Sequence, residues 1–421
     1  MEETKEGMLS PFRVLDLSDE KGLLCGKILG DLGADVIKIE RPGGDAARSI
    51  GPFYHDEIDP EKSLFWFALN TSKRGITLNI EEADGREIFK RLVKTADFVI
   101  ESFAPGYLAK LGLSYSDLEK IKPGIILVSI TPFGQTGPYK DWKGPDLIAW
   151  AMSGEMSGWG ETDRPPIRIS GHAQTSFNAA ADGAIGALVA LYQRQTTGEG
   201  QHIDVSVQDA ISLMDGENRN PAWANNPGVA RKRGVQVTMG GGPPAHKTTR
   251  IWRCKDGYVS WSHGGMSPLG PSVPLIKWMQ SEGMSTEFLD GFKWARPDFQ
   301  QVPQEDWDKI EGPTAKFFLT KTKSELLEGA VKHDVMLYPV ATTADMLEDI
   351  QLTARKFWVE VEHPELGARI TYPGAFGICS EASPRISRRA PLIGEHNQEI
   401  YQVELGISKE TLTVLTEAGV I

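Results

Sequence analysis

Short β-branched and aliphatic runs alternate with stretches in which apolar residues recur every three or four positions, and this alternation organises the first half of the chain. Residues 12–17 predict a strand, 22–32 a helix and 36–40 a second strand, together a βαβ unit. A helix follows over about 83–95, with Ile88, Phe89, Leu92 and Val93 on one face, then a strand at 97–101 and an apolar run at 125–130 that reads as a buried strand. Parallel α/β layering is the expected result. Small residues and long aliphatics over 177–192 predict a closely packed helix, ended by Gly198 and Gly200 before a strand at 202–207. Over 218–244 the composition shifts to Asn, Gly, Pro, Arg and Lys, after which 250–253 and 257–261 read as strands around a Lys-Asp-Gly turn. Two lobes are therefore expected: a larger one from residues 1–217 together with 335–421, and a smaller one from 218–334.

With 421 residues and 40% hydrophobic content, the chain has enough apolar material for two cores. A formal charge of -12, with both signs scattered, argues against a nucleic-acid partner. Only Cys25, Cys254 and Cys379 are present, without the spacing of a metal site, which suits a reducing cytoplasm and predicts no metal. Residues 1–10 are acidic and short of apolar side chains, unlike a signal peptide, and no later stretch has the length of a membrane helix.

Few residues announce chemistry by spacing alone. The Gly43-Gly44 and Gly240-Gly241-Gly242 clusters match neither nucleotide-phosphate loop pattern. Lys73 and Arg74 sit side by side before a strand, where they would grip a phosphate or, more plainly, stay solvated on a loop. His172 is a lone histidine in a Gly-rich segment, and Ser176 has no marked base partner, so a structural or capping role suits each. Asp146, Asp182, Asp204 and Asp209 fall in the central third, and their spacing leaves open which of them converge. From pattern alone the chain reads as an enzyme-like α/β protein.

Several blocks carry a resemblance that covers nearly the whole chain. They are Arg13-Val14-Leu15-Asp16-Leu17, residues 31–45 (DLGADVIKIERPGGD), residues 70–74, Phe103-Ala104-Pro105-Gly106, Leu111-Gly112-Leu113, Phe133-Gly134-Gln135-Thr136-Gly137-Pro138, residues 197–206 (TGEGQHIDVS) and residues 389–396 (RAPLIGEH). In these the chain resembles the class III CoA-transferase family, the formyl-CoA and carnitine-CoA transferases of CaiB/BaiF type. The resemblance implies an α/β fold with a Rossmann-like large domain built from both chain ends, a smaller α+β domain between them, and an interlocked, ring-like dimer. It also implies an aspartate that attacks an acyl-CoA thioester to form a mixed anhydride. CoA or acyl-CoA enters as substrate, with contacts at Arg41, Leu78, Phe103, Lys143 and, conservatively replaced, Lys110.

The departures from that pattern are as informative. The nucleophile lies ten residues before the glycine of an Ile-Gly pair, here Ile185-Gly186, so its position falls on Ser176. The glutamine-alanine-glycine-proline run after the first strand reads Glu20-Lys21-Gly22-Leu23, a lysine becomes Glu81, and an asparagine becomes Ser102. In the racemases of the same fold a histidine precedes the aspartate, whereas here Pro145 precedes Asp146. The expectation is a non-catalytic subunit of a heteromeric transferase, working with a related subunit that carries the aspartate, on acyl-CoA and carboxylic acid substrates. The resemblance to the succinyl-CoA:(R)-benzylsuccinate enzyme suggests an aromatic acid, and the aromatic-rich residues 150–159 would suit one. Two alternatives stand beside it: a self-sufficient enzyme in which Ser176, His172, Glu20 or Asp182 has taken over catalysis, and a non-catalytic acyl-CoA-binding protein.

Overall fold

The structure is a computed structural model that describes residues 7–160, 164–169, 173–214, 246–263, 272–294 and 301–421. The glycine cluster at 240–242 with Pro243 and Pro244, the composition shift over 218–244 and His172 lie outside the described residues. The chain divides into two compact units, one of Met1–Ser157, Ile167–Asn225 and Thr353–Ile421, the other of Gly158–Pro166 and Asn226–Leu352.

In chain order the first unit contains β1 (Arg13–Asp16), α1 (Leu23–Asp31), β2 (Asp35–Glu40), α2 (Leu64–Leu69), β3 (Lys73–Thr77), α3 (Ala83–Val93), β4 (Phe98–Glu101), α4 (Tyr107–Lys110), α5 (Tyr115–Ile121), β5 (Ile126–Thr131), α6 (Asp146–Met152), α7 (Gln174–Thr197), β6 (His202–Ser206) and α8 (Val207–Met214). The six strands form one parallel sheet in the order β3-β2-β1-β4-β5-β6, the doubly wound arrangement. Helices cover both faces, so the strands read as near-continuous apolar runs, and every residue of β5 is buried.

On one face Phe89 and Leu92 of α3 and Leu118 of α5 pack with Ile400, Tyr401 and Leu412 from the far end of the chain. The opposite face is closed by α1 and α7. Small residues let α7 lie close to the sheet: a Cβ added at Gly183 would sit 3.1 Å from Ile130 Cδ1. Gly198 stops the helix with φ 75°, a left-handed conformation that costs glycine nothing sterically.

In the second unit β7 (Ile251–Cys254), β8 (Gly257–Ser260) and β9 (Tyr338–Pro339) make an antiparallel sheet. The Lys255-Asp256 turn joins β7 to β8 as the sequence predicts. Trp252, Trp261, Trp278, Trp307, Phe317 and Phe318 supply an aromatic core between this sheet and its helices. Because β9 pairs with β8, the chain returns to the first unit at Thr353, later than the 335 read from sequence. The hairpin of β10 (Trp358–His363) and β11 (Ala368–Pro373) then belongs to the first unit. Among the described residues no helix is long and apolar enough to cross a membrane, and no group of three or more His, Cys, Asp or Glu side chains is placed to hold a metal.

Candidate functional site

In a doubly wound sheet the chain leaves neighbouring central strands in opposite directions, which opens a crevice at their carboxyl ends. Here those strands are β1 and β4. The turns that follow them are tied together, since Asp19 N–H donates to Ser102 Oγ at 2.8 Å and the Ser102 hydroxyl donates to Asp19 Oδ1 at 2.6 Å. Beside this junction a cleft of about 460 Å³ is lined by Leu17 and Asp19 after β1, Arg41 after β2, Leu78 and Glu81 after β3, and Phe103 and Tyr107 after β4.

Buried charge fixes the cleft floor. Asp16, at the end of β1, accepts from Ser18 N–H and Oγ at 3.0 and 2.6 Å and from Lys73 Nζ at 2.8 Å. Lys73 also donates to Leu23 O and Asn70 Oδ1, and Lys38 donates to Ser18 O and pairs with Asp45 at 3.1 Å. Burial alone would raise the Asp16 carboxyl, but Lys73 and Lys38 hold it below the usual carboxylate range. Arg48 grips both oxygens of Glu40, reaches Glu61 and lies 3.9 Å over the Trp66 ring. These contacts correct the sequence reading of Lys73 and Arg74. Both are in β3 rather than on a loop; Lys73 is fully buried, and Arg74 pairs with Asp35, Glu399 and Glu404. Neither is a solvated cation or one free to grip a phosphate.

At the cleft mouth Arg41 Nη2 donates to Glu81 Oε1 at 3.0 Å, and Tyr107 Oη donates to the same oxygen at 2.7 Å. The Tyr107 ring leans on Phe103, with centroids 4.6 Å apart. Phe103 N–H in turn donates to Glu101 Oε2 at 2.7 Å. Glu101 is only 5% exposed, and burial pushes its carboxyl up to about 7, against the lowering effect of hydrogen bonds from Ser129 and the Phe103 N–H. Sequence reading missed Glu101, Tyr107 and the Asp16–Lys73 pair. Nothing in a run such as Phe98-Val99-Ile100-Glu101 marks its last residue as a neutral-leaning acid, because that property arises only when α4 and β5 close over it.

Three of the five contact positions expected from the resemblance, Arg41, Leu78 and Phe103, come together in this cleft. Lys110, at the end of α4, and Lys143, before α6, are exposed and lie outside its lining. Ser176 is at the third residue of α7 and 7% exposed. The helix precedes the parallel strand β6, so its first turn lies at the carboxyl edge of the sheet. Phe177 stacks against Phe65 of α2 there, with ring centroids 6.4 Å apart. Asp146 caps this end of α7, accepting from Thr175 N–H at 3.1 Å and Thr175 Oγ1 at 2.7 Å.

Among the described residues no histidine or carboxylate hydrogen-bonds to Ser176. Burial raises the carboxyls of both Glu20 and Asp182, with Asp19 adding to the effect at Glu20. Asp182 is six residues further along α7, about 9 Å along its axis. Trp150, in the aromatic-rich stretch, is fully buried.

The family model for CoA-transferase family III matches residues 9–397. The chain is 34% identical over 417 residues to the succinyl-CoA:(R)-benzylsuccinate CoA-transferase subunit BbsE of Thauera aromatica, with 98% of each chain covered. It is 32% identical over 416 residues to the succinyl-CoA–D-citramalate CoA-transferase of Chloroflexus aurantiacus, again covering 98% of each. The crystal structure of a CAIB/BAIF family protein from Brucella suis superposes with a TM-score of 0.80 at 29% identity, covering 95% of this chain and 100% of that one. On the family match over residues 9–397, and on a doubly wound sheet with its cleft at the switch point, this chain belongs to CoA-transferase family III.

Proposed function

We propose that this chain is the non-catalytic subunit of a heteromeric CoA-transferase, paired with a related subunit that carries the aspartate nucleophile. The pair would move CoA from an acyl-CoA such as succinyl-CoA to a carboxylic acid, with an aromatic, benzylsuccinate-like acid the first to try. The observation that carries this reading is Ser176, a buried hydroxyl at the position the resemblance assigns to the aspartate, with no hydrogen-bonded base among the described residues. A neutral hydroxyl without a base is a weak nucleophile, and a seryl ester would lack the reactivity of a mixed anhydride. In the pair, the partner's carboxylate attacks the thioester carbonyl, the C–S bond breaks, and CoA leaves as the thiolate while the acyl group stays on the partner.

Two further observations support a second chain. The relative BbsE is itself named as a subunit. On α7, Ile185, Val189 and Tyr192 recur at helical spacing and are all exposed, an apolar stripe of the kind a protein interface covers. CoA contacts are proposed at Arg41, Leu78 and Phe103 in the cleft, with Lys110 and Lys143 on the exposed surface beyond it. Three free cysteines, two of them buried, suit a cytoplasmic setting.

The test is to purify the chain alone and co-expressed with an aspartate-bearing relative, then measure CoA exchange between succinyl-CoA and aromatic or dicarboxylic acids. Activity confined to the complex is the expected result. Full activity of this chain alone would overturn the proposal and return attention to Ser176.

A further inference from the structure

The cleft mouth holds an arginine whose partner is already chosen. Arg41 and Arg48 are the two cations lining the cleft, against Asp19, Glu40, Asp45 and Glu81. Arg48 is buried and committed to Glu40 and Glu61. Asp45 is paired with Lys38, and Asp19 with Lys21. Of these pairs Arg41–Glu81 is the most open to solvent, with the two side chains 66% and 49% exposed. The one accessible guanidinium of the lining and the Tyr107 hydroxyl therefore both donate to a single carboxylate oxygen of Glu81.

An arginine fork suits the terminal oxygens of a phosphomonoester, which is close to a dianion above pH 7. CoA carries such a group on its ribose, and 3′-dephospho-CoA differs by lacking it. Any monoester that reaches Arg41 must displace Glu81 and then sit beside its charge.

We infer that Glu81 is a specificity-determining residue, a built-in counter-ion that occupies Arg41 and removes the cleft's preference for the ribose phosphate of CoA. This rests on the reading of the cleft as the CoA site. The unmodified chain then binds CoA and 3′-dephospho-CoA with affinities within about twofold of each other. Removing the Glu81 charge frees Arg41 and restores the preference, by about fivefold for a competing exposed ion pair.

The experiment titrates CoA and 3′-dephospho-CoA by calorimetry into the wild-type chain, Glu81→Gln and the double variant Arg41→Ala/Glu81→Gln at pH 7.5 and fixed salt, with thermal melts to establish that each variant is folded. Glu81→Gln should tighten CoA about fivefold and 3′-dephospho-CoA less than twofold, and the double variant should lose that gain. An equal change for both ligands, or no change, with both still binding, would overturn this inference alone. Failure of the wild type and Glu81→Gln to bind either ligand would overturn it together with the assignment of the cleft to CoA.

Discussion

Glutamine at position 101 should stabilise the protein, and the gain should grow with pH. Glu101 is pushed by burial from its ordinary 4.5 up to about 7, so the folded chain holds this proton more tightly than the unfolded chain does. Below pH 4.5 both states are protonated and the carboxyl costs nothing. Between pH 4.5 and 7 the unfolded state releases the proton first, so stability falls as pH rises. Above pH 7 both states are ionised and the cost is constant. At about 1.36 kcal/mol for each tenfold difference in proton affinity, the plateau is about 3 kcal/mol. Glutamine keeps an oxygen to accept the Phe103 N–H, now at 2.7 Å, and like the protonated acid it carries no charge. Urea melts of wild type and Glu101→Gln at pH 5, 6, 7 and 8 measure the difference, in which the other titrating groups cancel. A variant-minus-wild-type gap that opens from about 0.8 kcal/mol at pH 5 to about 3 kcal/mol at pH 8 is expected. A gap that is flat across this range, or that closes with rising pH, would refute the reasoning.

Replacing Asp16 by asparagine leaves the fully buried Lys73 ammonium without its carboxylate, and should cost about 3–5 kcal/mol of unfolding free energy measured by urea melts; a loss under 1 kcal/mol would mean the pair does not hold this part of the fold. Ser176→Ala should leave the CoA-exchange rate of the two-chain complex within twofold of wild type, and a hundredfold loss would assign Ser176 a chemical role. Ile185→Glu and Tyr192→Glu place charge on the exposed stripe of α7 and should weaken association with the partner at least tenfold by analytical ultracentrifugation while the melt of the isolated chain moves little. Unchanged association would move the interface elsewhere.

Much of the large unit was legible because its strands are buried on both faces and its helices carry one-sided stripes. Residues 12–17, 36–40, 97–101 and 125–130 announce β1, β2, β4 and β5 in this way, and Ile88, Phe89, Leu92 and Val93 give the buried face of α3. Gly198 marked the end of α7 because its left-handed φ needs a residue without Cβ. Where two lobes part was harder to read, since β9 is two residues long and owes its place to pairing with β8 rather than to any pattern of its own.

The site divides along the same line. Arg41, Leu78 and Phe103 were reached through resemblance, and the sheet order explains why they meet: they follow β2, β3 and β4, whose carboxyl ends lie on one edge of the parallel sheet beside the β1–β4 switch point. Lys73 misled because a basic pair beside a turn looks solvated, and only the fold brings Asp16, 57 residues away, within 2.8 Å. Glu81 was visible as a substitution, whereas its bonds to Arg41 and Tyr107 depend on loops after β2, β3 and β4 converging.

Which chain carries the acyl group decides whether this one is catalytic. Mixing the two-chain complex with succinyl-CoA, quenching rapidly with borohydride and mapping the peptides by mass spectrometry reads this directly, since an acyl-aspartate anhydride is reduced to an alcohol at the aspartate. The modification is predicted on the partner's aspartate, with the peptide containing Ser176 unchanged in mass. An acyl mass on the Ser176 peptide would contradict the central claim.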